Sequence, residues 1–203
     1  MDLSIGYTQT IVKECRKQGL TQQQTAYVIA TAYWETARSM KPIKETVMPH
    51  HKDRNPSDAT VIARLDRAFA AGLLGQVRNP YWRDGWFGRG FVQLTHKANY
   101  ERAGRELGVA LVANPDLAMR PDISAKILVR GMMQGWFTGL RLDQYVNSTM
   151  TDYVNARRVV NGLDRTEEIA GYARQYERVL PETVTQERMR FIEWLRDIFA
   201  RFR

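Results

Sequence analysis

One cysteine, Cys15, and three histidines are the only thiol and imidazole groups among 203 residues. No intramolecular disulfide can form, which excludes a disulfide-framed scaffold, and the ligands for an ordinary zinc cage are too few. No window reaches the ~20 apolar residues of a bilayer span, and the opening MDLSIGYTQTIVKECRKQ lacks the apolar stretch of a secretory signal. The expectation is a protein made and folded in a cytoplasm, with any export by another route. Low-complexity tracts and repeats of roughly 20–50 residues are also missing. Acid is the scarcer sign of charge: 22 Asp and Glu stand against 30 Lys and Arg, a formal +8.

Hydrophobic residues at 44% and charged residues at 26% are ordinary globular values. The length fits one domain over 1–203, since a chain of this size buries roughly 70% of its unfolded surface. Ile5, Thr8, Ile11, Val12 and Cys15 recur at helical spacing up to Gly19. Thr21 and Gln24 form a T-x-x-Q capping box that opens a second helix, and residues 26–34 (AYVIATAYW) are apolar nearly all round, so this helix is expected to be buried. Pro42 requires that it stop before Glu45. Asn55-Pro56-Ser57 opens a third helix with Val61, Ile62, Leu65 and Phe69 inward and Gly72 at its end. The glycine- and aromatic-rich segment 79–95 reads as a loop leading into a short strand, and further helices are expected near 96–107, 122–138, 151–160, 166–179 and 185–202. The fold class is therefore mainly α with at most a small β element.

Glu35 sits at the end of the most apolar helix. Desolvation raises the pKa of such a carboxyl, which makes Glu35 a candidate general acid at the rim of the core; the alternatives are an exposed glutamate or one paired with Arg38. Glu45 lies ten residues on. In one continuous helix this separation is roughly 15 Å, but the break at Pro42 lets the chain fold back so that a second carboxylate crosses a cleft. If 91–95 is extended, Gln93 and Thr95 share one face and Val92 and Leu94 the other, with Asn99 about one turn into the next helix. Three neutral hydrogen-bonding groups then converge, as a sugar and an attacking water require; the alternative is a structural strand bracketed by glycines. Tyr81, Trp82, Trp86 and Phe87 either stack on sugar rings or are buried packing, about half of them the latter. Trp34 and Trp136 are expected in the core. His50 and His51 beside Asp53 read as a solvated loop rather than a metal site.

TAYWETARSMKPIKET, WFGRGFVQLTHKANYERAG, ANPDLAMRPDISAK and VVNGLDR, in this order and spacing, resemble the family 19 glycoside hydrolases, the chitinase-like branch of the lysozyme superfamily. The likeness runs over roughly residues 20–176 and is similar in particular to peptidoglycan-cleaving endolysins of phages that infect Gram-negative bacteria. It implies a lysozyme-like fold without metal or cofactor. Glu35 takes the place of the general acid, with Trp34 where the family has histidine, and Glu45 that of the general base. Thr95 holds the attacking water, and Gln93, Asn99 and Asn161 contact substrate, although Leu163 stands where a second glycine follows the asparagine in the family. The arginine that the family places soon after this asparagine has several possible matches here, Arg165 and Arg174 among them.

The mechanism implied is inversion, with Glu35 protonating the glycosidic oxygen while Glu45 activates a water on the other face of the sugar. The expected substrate is the β-1,4-linked glycan strand of peptidoglycan, with chitin cleavage or lytic transglycosylation as the alternative enzymatic readings and a noncatalytic cationic wall- or membrane-binding protein as the reading from another class. Segment 185–203 places Met189, Ile192, Leu195, Phe199 and Phe202 at helical spacing among arginines, which fits either a terminal helix packed on the core or contact with anionic outer-membrane lipid. No zinc-finger, helix-turn-helix or RNP signature points to nucleic acid. The expected form is a monomer held in the host cytoplasm until a separate hole-forming protein gives it access to the wall.

Overall fold

The computed structural model describes residues 1–181 except 48, 51 and 76. Six α-helices lie in these residues: α1 (Thr8–Lys17), α2 (Gln22–Glu35), α3 (Asp58–Ala70), α4 (Lys97–Leu107), α5 (Pro121–Gln134) and α6 (Thr166–Val179). A two-residue strand β1 (Ile43–Lys44) pairs antiparallel with β2 (Arg89–Gly90), Ile43 facing Gly90 and Lys44 facing Arg89. The mainly helical class expected from the sequence is the one observed. The helix expected over 185–203 lies outside the described residues.

The anticipated capping box opens α2: Thr21 Oγ1 accepts from the Gln24 amide at 3.1 Å and Gln24 Oε1 from the Thr21 amide at 3.0 Å. Every residue from Thr25 to Ala32 is buried, so α2 is the central rod, packed on α6, α1 and α5. Its aromatic members extend the packing, Tyr27 stacking on Tyr153 and Tyr33 meeting Tyr172 and Tyr176 edge-on. A smaller cluster of Val61, Leu65, Trp82 and Phe87 lies under α3. Trp136 is buried in the main core and Trp34 packs half-buried against it.

The reason α2 ends differs from the one expected. It stops at Glu35 itself, well before Pro42, because Thr36 turns its hydroxyl back onto the Ala32 carbonyl at 2.7 Å and also accepts from the Met40 amide. Ala37, Arg38 and Met40 then take positive φ of 47°, 65° and 52°. Three non-glycine residues in left-handed backbone within four positions are a local strain held by the surrounding contacts.

The strand expected over 91–95 is also displaced. Arg89 and Leu94 exchange backbone hydrogen bonds at 2.9 and 3.2 Å, so 90–93 is a tight turn and the paired strand is Arg89–Gly90. Gly90 makes this turn possible: its φ is +89°, and a Cβ there would meet Ser124 Oγ at 2.6 Å and the Ala118 carbonyl at 2.9 Å. Gln93 also has a positive φ. The inside-outside alternation survives the loss of extended geometry, since Val92 and Leu94 are buried while Gln93 and Thr95 are half-buried.

Two expected helices are shorter. α5 ends at Gln134 because Gly135 turns left-handed, and 151–160 forms only a 3-10 segment, Asn155–Val159, whose start is tightened by Asp152 accepting from the Asn155 amide and side chain. The small sheet is anchored by a four-ion cluster. Lys44 and Arg89, both almost fully buried, each bond to Asp58 and Asp116 at 2.7–2.9 Å.

Candidate active site

α2 delivers Glu35 to a cavity of about 660 Å³ that is also lined by Tyr81, by Gln93, Thr95 and Asn99, by Phe137 and Leu140, and by Arg158 and residues 160–163. The Glu35 side chain is only 16% exposed, and its Oε1 accepts from Arg157 Nη1 at 2.7 Å. Burial pushes the Glu35 carboxyl above its ordinary value; the Arg157 charge and hydrogen bond oppose that shift but do not cancel it. Neither alternative weighed for Glu35, exposure or a pair with Arg38, is the arrangement seen.

Arg157, the buried partner of Glu35, is not among the residues expected from the sequence. It is 2% exposed, and Asp164 lies 3.7 Å from its other terminal nitrogen. Arg165 and Arg174, two of the several possible matches for the family's arginine, pair elsewhere: Arg165 with Glu168 at 3.2 Å and Arg174 with Glu167 at 4.0 Å. A signal was present in VNARRVVNG, where two arginines sit among valines; a buried guanidinium there demands a carboxylate partner.

Glu45 occupies a separate position. Its Oε1 accepts from the Tyr81 hydroxyl at 2.7 Å, its Oε2 from the Gly88 amide at 2.7 Å, and its own amide donates to the Gly88 carbonyl. Glu45 is not itself part of the cavity lining; the link is Tyr81, whose ring lines the cavity and meets His96 edge-on at 4.7 Å. Burial, followed by the Glu45 charge, pushes the Tyr81 hydroxyl up, so it stays a proton donor at neutral pH. Of the aromatic residues weighed for stacking, Trp82 and Phe87 are fully buried and Trp86 packs half-buried on Tyr100, leaving Tyr81 in the cavity wall.

The neutral groups divide their hydrogen bonds between fold and cavity. Thr95 Oγ1 donates to the Gln93 carbonyl at 2.7 Å, which leaves its lone pairs to accept from a water. Gln93 Nε2 donates to the carbonyls of Ile43 and Gly90, tying the turn to β1 and leaving its amide oxygen. Asn99 Nδ2 donates to the Thr95 carbonyl at 2.8 Å, and Asn161 Oδ1 accepts from the Gly162 amide at 2.8 Å. The cavity therefore receives acceptors from Gln93 and Asn99 and donors from the Asn161 amide, a mixed set suited to acetamido and hydroxyl groups.

Residues 75–139 match the glycoside hydrolase family 19 model, described as chitinase class I. An acidic 26 kDa endochitinase of Solanum lycopersicum is 55% identical over 49 residues, 23% of this chain and 19% of the relative. The acidic endochitinase Q of Nicotiana tabacum is 32% identical over 122 residues, 49% of this chain and 48% of its own length. The chain thus spans less than half the length of these curated relatives. Among solved structures, chitinase C from Streptomyces griseus HUT6037 superposes with a TM-score of 0.50 at 20% identity, over 81% of this chain and 62% of that one. A chitinase C mutant gives 0.51 at 19% identity, over 88% and 84%. The fold is the lysozyme-like one of chitinase C, and the segment 75–139 is similar to that of the family 19 glycoside hydrolases.

Proposed function

We propose that the protein hydrolyses β-1,4 bonds between N-acetylated amino sugars by general acid–base catalysis, with peptidoglycan as its substrate. The observation that carries the reading is Glu35: a carboxyl at the end of a buried helix, opening on the cavity, held by Arg157 and shifted toward its protonated form. In this role Glu35 donates a proton to the glycosidic oxygen as the bond breaks. Glu45, oriented by Tyr81 and the Gly88 amide, takes a proton from the attacking water, and Thr95 accepts a hydrogen bond from that water. A water between the two carboxyls requires a separation of about 6.5–9.5 Å and inverts the anomeric centre. Gln93, Asn99 and Asn161 bind the sugar substituents.

The printed names of the relatives favour a second reading, in which the glycan is chitin. Peptidoglycan is preferred because the chain is basic, +8 overall, and the wall polymer is acidic. The role that follows is an endolysin of a phage infecting Gram-negative bacteria, held in the host cytoplasm and reaching the wall through a hole made by another protein, with the basic segment 185–203 meeting anionic outer-membrane lipid. Digestion of purified peptidoglycan and of chitin by wild type, Glu35→Gln and Glu45→Gln, with mass spectrometry of the fragments, tests this. Reducing muropeptides lost in both variants support hydrolysis by two carboxylates. Anhydro ends with Glu45 dispensable mean transglycosylation, and chitin as the better substrate moves the protein to the second reading.

A further inference from the structure

Besides Glu35, Arg158 is the one formally charged side chain lining the cavity among the described residues. Its neighbour Arg157 is buried and committed to Glu35. Arg158 is exposed and forms no ion pair within 4.0 Å in the described residues; its single side-chain bond is a long one, 3.4 Å from Nε to Asn155 Oδ1. Asn155 is occupied in turn by Asp152, which therefore supplies no direct counter-charge. The main chain at Arg158 is fixed, since the Thr138 hydroxyl donates to its carbonyl at 2.7 Å. The result is a guanidinium fork on a held backbone, at the wall of a cavity whose other polar groups are mostly neutral.

A guanidinium in that state is matched by a carboxylate, which accepts two parallel N–H bonds. A glycan of N-acetylglucosamine alone has none to offer, whereas a strand bearing peptide stems does. We propose that Arg158 is a specificity-determining residue that pairs with a stem carboxylate of the bound strand and so favours acid-bearing glycans over neutral ones. This rests on the hydrolase reading above and adds the group that selects its substrate.

The test compares wild type, Arg158→Ala and Arg158→Lys on purified peptidoglycan, on the same material with its carboxyls amidated, and on neutral glycol chitin. The ratio of kcat/KM on peptidoglycan to that on glycol chitin is expected to fall about tenfold in Arg158→Ala, mostly through KM, with part of it restored in Arg158→Lys. Amidation is expected to bring wild type down to the level of Arg158→Ala. An unchanged ratio, or a wild type indifferent to amidation, overturns the proposal. If wild type cleaves none of the polymers, the hydrolase reading fails on its own. Calorimetric titration with a soluble muropeptide and its amidated form then reads Arg158 directly: equal affinity for the two, or for wild type and Arg158→Ala, overturns it.

Discussion

Glu35 shows how much of a site one side chain determines and how much it leaves to its neighbours. An acid at the end of an apolar helix was legible in the sequence, because desolvation follows from the run AYVIATAYW alone. Its counter-charge was not, because Arg157 comes from a 3-10 segment 122 residues away and no local spacing links the two. Glu35→Gln is expected to lower kcat by about 10²–10⁴-fold, the usual contribution of a positioned general acid, in an assay of glycan cleavage. The same raised carboxyl sets a sign for stability. The folded state favours its protonated form, so that contribution is full below about pH 4.3 and is lost as pH rises through the native titration. Wild type should therefore lose stability relative to Glu35→Gln over that rise, as read from urea denaturation at stepped pH. Tyr81→Phe removes one of the two donors that hold Glu45, and is expected to reduce kcat about tenfold with a much smaller change in KM. A larger effect on KM than on kcat in steady-state assays would move Tyr81 from orienting Glu45 to binding sugar.

At the level of elements, the helices are legible in the sequence where capping and periodicity act locally, as in α2 with its T-x-x-Q box and α3 with Ser57. Elements are not legible where distant contacts decide the backbone. Residues 91–95 were expected to be extended, yet Gly90 packs against Ser124 and Ala118, and Ser124 Oγ accepts from the Phe91 amide, so the chain turns there. Gln93, Thr95 and Asn99 still meet at the cavity, because the alternation of burial survives in the turn. The cluster of Lys44, Arg89, Asp58 and Asp116 was invisible to any short motif, although it fastens the small sheet beside Glu45. Burial alone would raise the Asp116 carboxyl, but hydrogen bonds from Lys44 and Arg89, with their charges, outweigh it and hold it below its ordinary value. A depressed carboxyl contributes stability above the unfolded value of about 3.9 and loses it as pH falls through the native one. Asp116→Asn should flatten this acid loss by about 1 kcal/mol, a figure kept small because Asp116 is half-exposed. Denaturation midpoints at pH 3 and pH 7 for both proteins would show it; equal slopes would mean the cluster contributes nothing through Asp116.

For the whole molecule, the fold gathers the cavity and the charge bears on the proposed substrate. The lysozyme-like scaffold brings a helix end, a tight turn and a 3-10 segment around one cavity, while the net charge of +8 favours approach to an acidic polymer. The shared family segment, 75–139, contains the turn and α4 but neither Glu35 nor Arg157. The proposed acid and its counter-charge therefore rest on this chain's own geometry. The most direct measurement follows the anomeric configuration of freshly released reducing ends by NMR during cleavage of peptidoglycan by wild type and Glu35→Gln. The two-carboxylate account predicts α-anomers as the first product and no detectable release by Glu35→Gln. First-formed β-anomers, anhydro ends, or undiminished release by Glu35→Gln would contradict it.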